Sequence, residues 1–322
     1  MKKNFLTLLF LASFSFNLHS QSQEEVLKKV DKIIYSYHSI KSLEELVKRI
    51  DYDFKTDIEK ARAAYTWIAL NINYENDFSG LINKPDKILA FNKHDLKRRI
   101  KVEKEKLIST AFISKKGVCK EYAYLFQKIC NLLNIKNQLI YGYIRNSNFD
   151  IGFMPKDKNH VWNSFKVNDK WIVIDVTLAA GYMHKNIWQK QFNTNFFNLR
   201  EDDLKFTHYS NKSNTKKNDQ LPLKDFCNLP LVRSGFKSNF KLLNSMGQIN
   251  LKKGNKIKLQ FKLPKMTKIY YQFDNHQYII EATKTTNKEI VNISLPNPEK
   301  NTSLKIFFNQ ELALEYNVVV SE

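Results

Sequence analysis

Three side chains in the middle of this sequence have the types that nucleophilic catalysis needs: Cys119, His160 and Asp175. Cys119 follows Gly117-Val118, where the strongly periodic stretch 119–133 opens as a helix. A thiol at a helix N-terminus meets the positive end of the macrodipole, which favours thiolate over thiol. The backbone N–H of the same residue points forward, where it can hold a developing oxyanion. Cys130 lies on the same helical face about 16 Å further along the axis, too far to pair with Cys119, and reads as core filler.

His160 and Asp175 fall in the strand-like run 160–177, which Asn168-Asp169 divides. If those two residues form a tight turn, Trp162 faces Asp175 and His160 faces Thr177. Alternation then gathers Val161, Phe165, Val167, Ile172, Ile174 and Val176 on an apolar face. The other face carries His160, Trp162, Asp175 and Thr177. His160 and Asp175 become diagonal neighbours about 7 Å apart at Cβ, a gap that a His–Asp hydrogen bond closes. In such a set the histidine takes the thiol proton and later protonates the leaving amine. The acid orients the imidazole and fixes its tautomer. Taken singly, each residue has an ordinary structural reading; the joint pattern singles them out.

Gly-Val-Cys-Lys-Glu-Tyr-Ala at 117–123, His-Val-Trp-Asn at 160–163 and Trp-Ile-Val-Ile-Asp-Val-Thr at 171–177 resemble the three core blocks of the transglutaminase-like superfamily. The helix before them, with Trp67 and Tyr74, resembles the block that precedes those three, and Gly142-Tyr143 the strand between cysteine and histidine. The likeness covers about 55–185 and is nearest the bacterial branch related to kyphoscoliosis-type peptidases, to which Leu223–Pro230 is also similar. The resemblance implies an α+β fold with a papain-like core, a Cys-bearing helix on an antiparallel sheet. It implies Cys119 as nucleophile, His160 as general base and acid, Asp175 as orienting acid and Trp162 as a substrate contact. The substrate implied is a protein or peptide amide, cleaved or transferred through a thioester by a peptidase or transglutaminase-like acyltransferase. The alternative is a catalytically silent binding module of the cell envelope. Three features depart from the family pattern: Leu178 stands where an aromatic is expected, 75–110 reads as a long insertion, and no second oxyanion donor is evident.

Elements that position these residues are legible upstream and downstream. Apolar residues at helical spacing predict helices over 24–37 and 42–50, and Thr56 with Glu59 forms a capping box for a third, through about Leu70. Residues 75–110, rich in Lys and Asp, read as a surface excursion with some helix. Strict alternation in 256–263, 291–295 and 312–320, broken by Pro264, Asp274-Asn275 and Pro296, predicts a C-terminal antiparallel Ig-like β-sandwich over 230–322. The transglutaminase-like domain then occupies 23–229.

Lys2-Lys3, the apolar run Phe5–Phe16 and Ser20-Gln21-Ser22 have the layout of a signal peptide over 1–22. This predicts export, to a secreted or periplasmic location, with no membrane-spanning segment after its removal. The net charge of +20 does not signal nucleic acid, because arginine supplies only seven of 52 basic residues and the lysines are spread along the chain. Four histidines, His94, His184, His208 and His276, are dispersed, so no metal site is expected. With eight glycines and no Walker or dinucleotide pattern, no cofactor is expected either.

Overall fold

The computed structural model describes residues 23–75, 88–145, 147–184, 187–210, 221–233, 240–243, 246–264 and 266–322. The segment 1–22 expected to be a signal peptide and most of the polar loop 209–220 lie outside the described residues. By Cα proximity the chain forms two compact units, residues 1–139 with 162–192 and residues 140–161 with 193–322.

The first unit opens with α1 (23–35), α2 (Leu43–Asp53) and α3 (Asp57–Asn71). The expected capping box closes α3: the Thr56 hydroxyl accepts from Glu59 N–H at 3.4 Å, and Glu59 accepts from Thr56 N–H at 3.0 Å. Residues 61–69 of α3 are all buried, so this stretch of the helix has no solvent face. Arg62 is bound to Asp31 of α1 through Nε at 2.8 Å and a terminal nitrogen at 2.6 Å. Thr66 gives its hydroxyl proton to the same carboxylate at 2.6 Å. This buried, hydrogen-bonded ion pair fixes α1 on α3.

Strand β1 (Asn73–Tyr74) follows. Of 75–110, read as a surface excursion with some helix, 76–87 lie outside the described residues, and from Lys93 on the chain forms one long helix, α4 (Lys93–Ser114). Asn92 caps its start by accepting Asp95 N–H at 2.9 Å, and Lys115 ends it in the left-handed region at φ 57°. Lysine, glutamate and arginine are good helix formers, so the charge that suggested a loop is the solvent face of a helix. Its end is anchored through Ile108, Ala111 and Phe112, which are buried.

Then come β2 (Lys116–Gly117), parallel to β1, and α5 (Cys119–Leu132), as expected. Strands β3 (Asn137–Ile144) and β4 (His160–Val167), each divided between the two units, and β5 (Lys170–Ile174) follow, with Asn168 and Asp169 in the left-handed turn at φ 45° and 63°. The first unit closes with α6 (Val176–Ala180), β6 (Gly181–His184) and β7 (Ile187–Lys190). The expected strand therefore stops at Ile174. Residues 176–180 are helical because the Asp175 side chain accepts Leu178 N–H at 2.9 Å and starts a turn. Thr177 is consequently not the strand partner of His160.

The second unit contains α7 (Glu201–Thr207), β8 (His208–Tyr209), α8 (Leu223–Asn228) and β9 (Leu231–Val232). Arg145, buried at the end of β3, donates to Leu229 O, to Phe206 O at 2.9 Å and to Pro230 O at 3.1 Å. Nine further strands follow: β10 (Lys241–Leu242), β11 (Gln248–Lys252), β12 (Ile257–Lys262), β13 (Ile269–Phe273), β14 (Ile280–Glu281), β15 (Lys284–Asn287), β16 (Ile290–Leu295), β17 (Thr302–Phe308) and β18 (Glu311–Ser321). They order as β10-β12-β16-β15 and β11-β18-β17-β13-β14, with β9 on β18. One apolar cluster draws on both sheets, including Leu259 and Phe261 from β12 and Leu304 and Ile306 from β17. The pairing is antiparallel except β11 with β18, which is parallel. Among the described residues no helix is long and apolar enough to cross a membrane.

Candidate active site

Cys119 is the first residue of α5 and is buried, with the N-cap position held by Val118 in extended geometry. Valine has no side-chain acceptor, so the cap comes from the other direction: Glu121 accepts Val118 N–H at 2.9 Å. The Cys119 N–H is one of the first-turn donors that α-helix geometry leaves without a carbonyl partner in the helix, so a donor stands at the thiol end. Gly117 is required by a close approach. A Cβ there would stand 2.6 Å from Glu121 Cβ, so any side chain would push the first turn of α5 away.

Tyr74 lies beside this turn, because it pairs with Gly117 across the β1–β2 ladder. Burial pushes its hydroxyl up to about 12, with the charges of Cys119, Asp175 and Glu121 adding to the effect. Trp188 of β7 stacks on the Tyr74 ring, centroids 4.9 Å apart. Tyr122, one turn into α5, gives its hydroxyl proton to Ile72 O at 2.6 Å. The cysteine is thus set among aromatic rings instead of open solvent.

On the sheet side, α5 packs on β4. Phe126 meets Phe165 at 6.0 Å, and the Asn163 amide donates to Ala123 O at 3.0 Å. Asn163 therefore ties the Cys-bearing helix to the His-bearing strand, a role the sequence reading did not assign. The expected register holds in the β4–β5 ladder, with Phe165 opposite Ile172 and Asn163 opposite Ile174. The ladder ends at that pair, one residue short of Trp162 and Asp175, both of the first unit. His160 is two residues before Trp162 on the same strand and so shares its side. Asp175 is fully buried, and N-capping α6 occupies one of its oxygens. His160 and Trp162 are also buried. The stack of Trp67 on Phe112, at 5.3 Å, agrees with Trp67 as a packing residue.

Cys130 and Cys227 are free and buried, and burial pushes both thiols up. All three cysteines are free.

His208 requires a second correction. It is not a dispersed histidine. In the second unit its ring centroid lies 6.2 Å from that of His160, and a ring nitrogen of each is within 4.8 Å of the other's. Forty-eight positions separate them, a distance closed by β3 pairing with β8 at Ile144 and His208. No local spacing could have revealed this. Two imidazoles in such reach are also donors that a transition metal uses.

Residues 44–176, which hold all three candidate residues, match the transglutaminase-like superfamily. This segment is a transglutaminase-like domain, a class of cysteine acyl-transfer and peptidase-like proteins. The chain is 26% identical over 140 residues to the kyphoscoliosis peptidase of Homo sapiens and 24% identical over 140 residues to that of Mus musculus. Each match covers 43% of this chain and 18% of the relative, so the chain corresponds to under a fifth of those proteins. A solved structure described as a crystal structure of a TGase aligns over 56% of this chain and 41% of its own, at 14% identity and a TM-score of 0.29.

Proposed function

We propose that the protein is an exported cysteine enzyme that acts on protein or peptide amides through a Cys119 thioester. His160 removes the Cys119 proton, and the thiolate attacks the amide carbonyl carbon. The resulting oxyanion is held by the Cys119 backbone N–H. His160 then returns its proton to the departing amine, leaving the acyl group on sulfur. Water, or a lysine amine, attacks the thioester and restores the thiol. Asp175 keeps the imidazole oriented and supports its charged form, and Trp162 contacts the substrate beside it. Hydrolysis, the action of a peptidase or amidase, is the preferred outcome; aminolysis would make the protein a cross-linking enzyme. The strand-rich residues 230–322 serve as an Ig-like sandwich, and 1–22 as the export signal.

One observation carries this reading: within the family-matched segment Cys119 opens α5, and the β4–β5 hairpin that carries the other two candidates keeps the expected register, Asn163 opposite Ile174. The test is a peptide library incubated with the full chain, with and without a primary amine, and read by mass spectrometry. Cleavage or deamidation of peptides, or amine incorporation, all abolished in Cys119→Ala, is expected. No product with the wild type, together with partner binding unchanged in Cys119→Ala, would favour a silent binding module.

A further inference from the structure

The buried pair of His160 and His208 in the second unit needs a physical reason, because neighbouring imidazoles repel once both are protonated. Both are registered against one residue. Ile144 of β3 pairs with His208 across the sheet. The side chain of Asn159, which precedes His160, takes both backbone groups of Ile144, accepting its N–H at 2.9 Å and donating to its carbonyl at 2.9 Å. Asn159 N–H also donates to Gly142 O at 3.1 Å. The start of β4 and the start of β8 are therefore fixed to the same point of β3.

The tautomer of His208 follows from its neighbours. Thr207 has one hydroxyl proton and donates it to Asp203 O at 3.0 Å. With that proton committed to Asp203 O, the same oxygen, 2.8 Å from His208 Nδ1, is placed to accept from it. In its neutral form His208 then carries the proton on Nδ1 and leaves Nε2 as the lone-pair nitrogen. A ring nitrogen's role is set by the bond the other nitrogen makes, and here the backbone of α7 sets it through Thr207.

We propose that His208 is a positioning residue for His160: a neutral imidazole of fixed tautomer whose lone-pair nitrogen steadies the His160 ring and supports its protonated form. This rests on the reading of His160 as the base, and it involves no bond making or breaking by His208. Outer partners that orient metal-bound imidazoles are worth about 10–100-fold in activity, and the same order is expected of this one.

The experiment uses the full chain and three variants. His208→Phe keeps a ring but removes the lone pair, His208→Gln keeps an acceptor, and Thr207→Val frees the tautomer. The readouts are kcat and KM on the best peptide found above, and the rate of Cys119 alkylation by iodoacetamide against pH. Expected are a roughly 10–100-fold fall in kcat for His208→Phe at unchanged KM, and an acid limb of alkylation moved to higher pH. His208→Gln should recover most of both, and Thr207→Val should move them less but in the same direction. A His208→Phe protein matching wild type in both readouts overturns the proposal, as does equal loss in the Phe and Gln variants, which would make His208 a packing residue. If wild-type Cys119 is unreactive, or His160→Ala leaves it unchanged, the base reading fails and the proposal falls with it. A reactive, His160-dependent Cys119 that is indifferent to His208 sinks this proposal alone.

Discussion

Gly117→Ala tests whether the cysteine is held where the fold puts it. The new Cβ would stand 2.6 Å from Glu121 Cβ, 3.1 Å from its Cγ and 3.6 Å from its Oε2. Ordinary carbon contacts are about 3.5–4.0 Å, so the first pair must separate by about 1 Å. Glu121 Cβ is rigid with the helix backbone, and swinging the carboxylate away relieves nothing. Gly117 cannot retreat freely, because it pairs with Tyr74 and its carbonyl accepts Glu75 N–H at 2.9 Å. The first turn of α5, with Cys119 in it, must move. Overpacking of this kind costs about 1–3 kcal/mol, or roughly 2–12 °C in melting temperature for a unit of this size. A displacement of about 1 Å at the nucleophile lowers acyl transfer roughly 100-fold. The assays are thermal unfolding and Cys119 turnover on a peptide substrate. A second change separates this cause from others. Adding Glu121→Ala keeps the offending Cβ and should not rescue turnover; adding Glu121→Gly removes it and should, despite about 1 kcal/mol of helix cost. Gly117→Ala with wild-type turnover, or rescue by alanine as complete as by glycine, would refute the reasoning.

Two further outcomes are expected. Asp31→Ala leaves the Arg62 guanidinium buried without its carboxylate and should lower stability by about 3–5 kcal/mol in urea unfolding; Asp31→Leu with Arg62→Met should lose distinctly less, and equal losses would contradict the assignment. Tyr74 keeps its proton in the folded state up to about 12, above the ordinary tyrosine value, because burial and then nearby negative charge oppose ionisation. Its stabilising contribution is therefore complete below pH 10 and lost as pH rises through about 10–12. Tyr74→Phe should flatten the fall in stability over that window, and an unchanged slope would show that Tyr74 ionises like an exposed tyrosine.

The cysteine helix, the turn at Asn168-Asp169 and the register of β4 with β5 were legible in the sequence because each is local. Periodicity, turn chemistry and alternation act within a few residues. The end of β5 was not, since Val176-Thr177-Leu178 has strand-like composition and only the Asp175 cap turns it into α6. The length of α4 was hidden by charge that serves as its solvent face. Asn163 and His208 escaped for another reason: their significance lies in partners distant in sequence, Ala123 and His160, that sheet and helix packing bring near. Gly117 was visible as a glycine, but the contact that demands one appears only when α5 is built.

The most direct test of the central claim is the pH dependence of iodoacetamide labelling at Cys119, quantified by peptide mass spectrometry with Cys130 and Cys227 as controls. Burial raises both control thiols, so they should stay unlabelled in the folded protein at neutral pH. The account predicts that Cys119 labels rapidly and still does so below pH 7, and that this low-pH reactivity is lost in His160→Ala, as a thiolate–imidazolium pair requires. Labelling of Cys119 only near pH 8–9, or a profile that His160→Ala leaves unaltered, would contradict it.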